Sequence, residues 1–172
     1  MATGEPQTKE KEGARLQLQK EHHWLKRLVG EWEHRSEVPS ESGGPPDVYT
    51  GTMTVRSLGD RWFLVEDSTR LPDGHVMLSM LTLGYDPDKG HFVGTWVSPD
   101  DTRMWVYDRG DLDTDERVLT LQSVGPTMDR MDETQYRDVI EIESDDRIIQ
   151  SAYMLQNGRW ELLMRIEHQR VK

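Results

Sequence analysis

Cysteine is absent from all 172 residues, which excludes a disulfide framework, a thiol nucleophile and a zinc–thiolate centre, and fits a reducing compartment. Positive charge is scarce as well: 21 Lys and Arg stand against 32 Asp and Glu, for a formal net charge of −11. Such a surface repels phosphate backbones and anionic lipid heads at long range, so neither nucleic acid nor a membrane is an expected partner. Long apolar runs are missing. The longest, around Val76 to Leu83, is far short of the roughly 20 residues of a membrane-spanning helix, and the first ten residues have no signal-peptide core. A cytoplasmic, soluble protein is expected. Neither Gly-x-Ser-x-Gly nor a phosphate-cradling glycine loop occurs, so nucleophile-elbow hydrolysis and nucleotide binding have no local support.

What the chain does have is order along its length. Residues 1–14 are polar, mixed in charge and without periodicity, and are expected to form a disordered tail, followed by one domain over residues 15–172. From Leu16 to Val29 the residues Leu18, Trp24, Leu25, Leu28 and Val29 gather on one side of a helix, which Gly30 is placed to stop. Beyond it, stretches rich in Val, Ile, Thr, Trp and Tyr alternate with turn chemistry. The turns fall at Pro39–Pro46, Gly59-Asp60, Pro72-Asp73-Gly74, Asp86–Gly90, Ser98–Asp101, Asp111–Glu116, Gly125–Thr134, Ser144–Asp146 and Asn157-Gly158. Ten antiparallel strands in sequence order, closing as an all-β up-and-down barrel behind a short N-terminal helix, is the economical reading. Asn157-Gly158 suits a type I′ turn, which ties the last two strands into a hairpin.

Alternation assigns several faces. Glu31, Glu33, Arg35 and Glu37 face water, leaving Trp32, His34, Ser36 and Val38 inside. Tyr136, Asp138, Ile140 and Ile142 are inward in the eighth strand, and Trp160, Leu162, Met164, Ile166, His168 and Arg170 in the last. Arg170 thus has the parity to lie across Trp32. The strands between residues 62 and 107 are apolar on both parities, so something is expected to cover their outer side: the helix or a second copy of the chain.

Several short motifs in fixed order carry a resemblance: His23-Trp24-Leu25 with Leu28-Val29-Gly30-Glu31-Trp32, Leu83-Gly84-Tyr85-Asp86, Phe92-Val93-Gly94-Thr95-Trp96, Trp105-Val106-Tyr107 and Tyr136-Arg137-Asp138-Val139-Ile140. Over nearly everything after residue 20 the chain resembles the calycin superfamily of lipocalins and fatty-acid-binding proteins, and more closely a bacterial family of uncharacterised lipocalin-like proteins. The resemblance implies a closed barrel with an internal ligand cavity. It brings no catalytic residues.

Inward parity puts His34, Asp138 and His168 where a polar group must be paired, hydrated or in contact with a ligand. The candidate ligand-binding set is His34, Ser36, Glu66, Trp96, Trp105, Tyr107, Tyr136, Asp138 and His168, for a small, largely apolar molecule with a polar group. The bland alternatives are an internal hydrogen-bonded network with water and ordinary aromatic packing. Acid–base catalysis by His34, Asp138 or Glu66 in the same cavity is a second reading, and a homodimer with a filled barrel a third. His168 also invites comparison with haem-binding nitrobindin-like barrels. Their Gly-x-Trp-x-Gly-x-Gly opening is replaced here by Glu33, His34, Arg35 and Ser36 after Trp32, which removes the glycines that admit a macrocycle. No cofactor and no metal set is read from the sequence. Asp111–Asp115 begins like an EF-hand loop but has Glu116 and Gln122 at the sixth and twelfth positions, and the adjacent His22 and His23 splay apart on a helix.

Overall fold

The computed structural model describes residues 17–38, 44–129 and 131–171. The tail expected over residues 1–14 and most of the first turn lie outside them. Helix α1 (Lys20–Lys26) leads into eleven strands: β1 (Gly30–Val38), β2 (Asp47–Leu58), β3 (Trp62–Arg70), β4 (Val76–Asp86), β5 (His91–Val97), β6 (Trp105–Tyr107), β7 (Arg109–Leu112), β8 (Val118–Pro126), β9 (Glu133–Ser144), β10 (Arg147–Gln156) and β11 (Arg159–Arg170). All pairings are antiparallel, in the order β6-β5-β4-β3-β2-β1-β11-β10-β9-β8-β7. The fold is the all-β, nearly closed antiparallel barrel expected, with eleven strands where ten were counted. The difference arises at Asp108. The segment read as one strand there crosses the seam of the barrel, pairing with β5 through Trp105–Tyr107 and with β8 through Arg109–Leu112.

Helix α1 ends sooner than the apolar pattern suggests. Its last turn tightens to bonds from Arg27 N to Trp24 O and from Leu28 N to Leu25 O, and Gly30 is the first residue of β1 rather than the cap. Trp24, Leu25 and Leu28 are buried with Trp32, Phe63, Leu83 and Phe92, so the barrel end beneath the helix is packed solid. The Trp24 indole donates to Glu116 O at 2.7 Å and fixes the helix to the β7–β8 loop. That loop is an ordinary hairpin turn in which Asp113 Oδ1 accepts from Arg117 N and Val118 N.

Trp32 is the plug of this end. It donates from Nε1 to Leu28 O at 2.9 Å, and the Arg170 guanidinium lies 4.0 Å over its ring. The two residues are direct partners between β1 and β11. Arg170 also donates to Val29 O at 2.6 Å, Arg27 O at 2.8 Å and Asp145 O at 2.6 Å.

Inward parity holds for Trp32, His34, Ile140, Ile142, Ile166 and His168, all buried. It fails at the start of β11. A register shift between Ala152 and Tyr153 pairs those residues with Met164 and Leu162, leaving Leu163 as the extra residue. Leu162 is therefore exposed instead of inward, and Trp160 packs outside under the Arg137 guanidinium, 3.9 Å from its ring centre. The helix does not cover the outer side of the middle strands: Trp62, Leu78, Met80, Val97 and Val106 stay exposed. No helix among the described residues is long and apolar enough to cross a membrane.

Candidate functional site

Away from the helix the barrel is hollow. A cavity of about 350 Å³ is walled by Val65, Leu81, Trp96, Trp105, Ile140 and Ile166, with Tyr107, Tyr136 and Asp138 among them. Leu163 and Met164 line it while remaining solvent-exposed, which places them at its mouth. The bulge in β11 turns Leu163 to that position.

Strand β6 and strand β9 supply the polar side of the wall. The Tyr107 hydroxyl donates to Asp138 Oδ2 at 2.7 Å. Asp138 keeps some accessible surface because it faces the cavity, yet the enclosing protein strips it of bulk water and raises its pKa, opposed by the Tyr107 hydrogen bond. Burial, reinforced by the Asp138 charge, likewise raises the Tyr107 pKa, so its hydroxyl remains a donor. Trp105 stands edge-to-face on Tyr136 at 4.8 Å and donates to Asp101 Oδ2 at 3.2 Å. The Tyr136 hydroxyl is anchored on Pro126 O. Gly125 makes room for this pair, since a Cβ there would overlap the Trp105 ring.

The floor of the cavity is Asp67, Thr69 and Gln150, and the two histidines lie behind it. His34 and His168 face each other across the β1–β11 pairing with ring centres 4.9 Å apart. His34 is linked to Thr69 on β3 across the intervening strand β2, which is possible because the residue between them is Gly51. A Cβ at Gly51 would overlap the His34 ring and the Ser68 backbone. The Thr69 hydroxyl donates its single hydrogen to Asp67 Oδ1 at 2.8 Å and accepts from His34 Nε2 at 3.2 Å. His168 Nε2 donates to Gln150 Oε1 at 2.9 Å. Burial lowers the His34 pKa against the opposing charge of Asp67, and lowers that of His168 to about 3, helped by His34. The Asp67 carboxyl is pushed up by burial, partly offset by its Thr69 hydrogen bond and by His34.

Of the nine residues proposed from sequence, Trp96, Trp105, Tyr107, Tyr136 and Asp138 line the cavity together. His34 and His168 are buried behind its floor, and Ser36 is half-buried farther along β1, away from the wall. Glu66 is on the outer face, bonded to Arg56 at 2.7 Å. The inward acid of β3 is its neighbour Asp67, in phase with the buried Phe63, Val65 and Thr69. Sequence reading missed Asp67 because Trp62-Phe63-Leu64-Val65 is apolar on both parities and leaves the phase of β3 open. Gln150 carried a usable signal, a polar side chain spaced by two from Ile148 and in phase with Ala152 and Met154.

No curated protein sequence matches the chain. Among solved structures, that of Rv2717c from M. tuberculosis superposes with a TM-score of 0.58 at 17% identity, covering 91% of this chain and 100% of that one. The structure of EF1p2_mFAP2b bound to DFHBI gives 0.43 at 10% identity, over 87% and 98% of the two chains. The first likeness is one of fold. The decisive match is in sequence over residues 17–170, and by it the chain belongs to the DUF1579 family, described as a protein of unknown function.

Proposed function

We propose that the chain is a binding protein whose barrel holds one small, mostly apolar molecule bearing an uncharged or cationic polar group. The cavity itself carries this reading. Its volume of about 350 Å³ falls within the roughly 300–1,000 Å³ usual for ligand pockets, and its wall combines apolar surface with a few convergent polar groups. Its charged groups are all acidic: Asp67, Asp101 and Asp138, with neither Lys nor Arg among the residues that line it. A carboxylate head would meet no counter-ion and two desolvated acids, whereas an amide, hydroxyl or ammonium finds partners in Asp138 and Tyr107.

Space of this size speaks against a barrel filled by its own side chains. Acid–base catalysis gains little support, since His34 Nδ1 and Asp67 Oδ2 stand 4.0 Å apart, beyond hydrogen-bond reach. A cytoplasmic calycin-type carrier of bacterial kind is the class of protein this reading describes, supported by the cysteine-free acidic composition and the barrel. A homodimer belongs to the same proposal. Trp62, Leu78, Met80, Val97 and Val106 make an exposed, mostly apolar outer face in a chain of net charge −11, a surface suited to cover by a second copy, with the Glu66–Arg56 pair beside Met80 already mutually neutralised.

The test is displacement of an environment-sensitive apolar dye by three molecules sharing one apolar body and ending in an amide, an ammonium or a carboxylate. The amide and ammonium forms should displace it at roughly micromolar concentration, the carboxylate at least tenfold less well at neutral pH. Equal displacement by all three, or no dye uptake, would refute the reading.

A further inference from the structure

Behind the cavity floor three buried side chains of one cluster each carry an atom with nothing to bond. His34 Nδ1, His168 Nδ1 and Asp67 Oδ2 have no hydrogen-bond partner, and one ligand atom from each of the three residues lies within 4.8 Å of the others. The rest of each side chain is spoken for. Thr69 has one hydroxyl hydrogen and gives it to Asp67, so His34 Nε2 must be the N–H that Thr69 accepts, which leaves His34 Nδ1 a bare lone pair. Gln150 presents Oε1 to His168 Nε2 and turns its amide nitrogen toward Met53 Sδ at 3.6 Å, so His168 Nδ1 is bare too. Three buried acceptors thus belong to one cluster with no donor among them, His34 Nδ1 and Asp67 Oδ2 being 4.0 Å apart. A single water has two hydrogens to offer and leaves one acceptor unmatched. A cation satisfies all three.

We propose that His34, His168 and Asp67 form a binding site for one divalent transition-metal ion, ligated through the two Nδ1 atoms and a carboxylate oxygen. Two imidazole nitrogens and one carboxylate suit zinc and its first-row neighbours, whereas magnesium and calcium select all-oxygen sets. The fit needs only small movements. An ion at the centre of a triangle of this size stands about 2.8 Å from each corner, so each donor closes by roughly 0.7 Å to reach the usual 2.0–2.2 Å. Thr69 and Gln150 are the outer partners that fix the histidine tautomers and ring orientations, the arrangement seen around metal-bound imidazoles generally. Gly51 leaves the room that the His34 ring occupies. Asp67 and Gln150 also line the cavity, so the site borders the pocket. The site stands on these three residues and does not depend on the cavity's ligand.

Calorimetric titration of the chelator-treated full chain with zinc, and with cobalt followed by its visible absorption, tests the site. One ion per chain should bind at micromolar concentration or tighter, with a rise in Tm, and magnesium at the same concentration should leave both unchanged. Asp67→Asn and His168→Gln should weaken zinc at least 100-fold. Gln150→Ala, which leaves the ligands in place, should weaken it 10–100-fold, and Glu66→Gln on the outer face of the same strand should not alter it. Circular dichroism checks that each variant is folded. Zinc binding of equal strength in Asp67→Asn and the native chain would overturn the proposal by assigning the ion elsewhere, to exposed His75 or half-buried His91. No binding at all would equally overturn it and leave a hydrated, proton-bridged trio.

Discussion

At the scale of single residues, Asp138 and Tyr107 show how enclosure sets chemistry. Asp138 resists ionisation because burial removes the water that would solvate its charge. A raised carboxyl pKa means that the folded chain holds its proton where the unfolded chain, near the ordinary carboxyl value of 3.8, has released it. Stability contributed by Asp138 is therefore greatest below that value and falls as pH rises toward the folded pKa. Asp138→Asn cannot ionise and keeps an oxygen for the Tyr107 hydroxyl. The variant's stability relative to the native chain should rise between pH 4 and pH 7, measured by urea denaturation at both. An unchanged difference would show that Asp138 is solvated. The inward position of Asp138 was legible from the alternation of β9, where Arg137, Glu141 and Glu143 mark the outer face. That of Asp67 was not, because adjacent acids on a strand apolar at both parities offer no phase.

At the scale of elements, the closed end depends on one side chain that joins three of them. Arg170 on β11 stacks on Trp32 of β1, bonds the carbonyls of Arg27 and Val29 in the α1–β1 link, and reaches Asp145 in the β9–β10 turn. Truncation to Ala removes the stacked cation and strands carbonyls at a half-buried junction, so Arg170→Ala should cost about 2–4 kcal/mol of unfolding free energy. Arg170→Lys should recover less than half, since an ammonium cannot span the same fork of acceptors. A loss below about 0.5 kcal/mol, the range of ordinary surface changes, would show the closure to be carried elsewhere. The partnership was readable because Trp32 and Arg170 occupy unambiguous strands. The bulge at Leu163 was hidden for the opposite reason: in Leu162-Leu163-Met164 every residue is apolar, so a one-residue change of phase leaves no mark in the pattern. Likewise the break at Asp108 reflects a change of pairing partner at the barrel seam, which local alternation does not record.

For the whole molecule, net charge and the apolar outer face pull in opposite directions. Two chains each carrying −11 repel at long range, while the face of β3, β4, β5 and β6 presents Trp62, Leu78, Met80, Val97 and Val106 to solvent. Trp62 lies flat against Gly84 on that face, as a Cβ there would meet its ring. Salt screens the repulsion and leaves apolar burial intact. If the face joins two copies, light scattering should give about twice the 20.0 kDa chain mass, with dimer dissociation weakening as ionic strength rises. Met80→Lys should return the protein to monomer without changing dye uptake, because Met80 points away from the cavity and pairs across the outer side with Val97. A dimer that dissociates as salt is added would point to ion pairs at some other surface, and a monomer under all conditions would leave this face to a different partner.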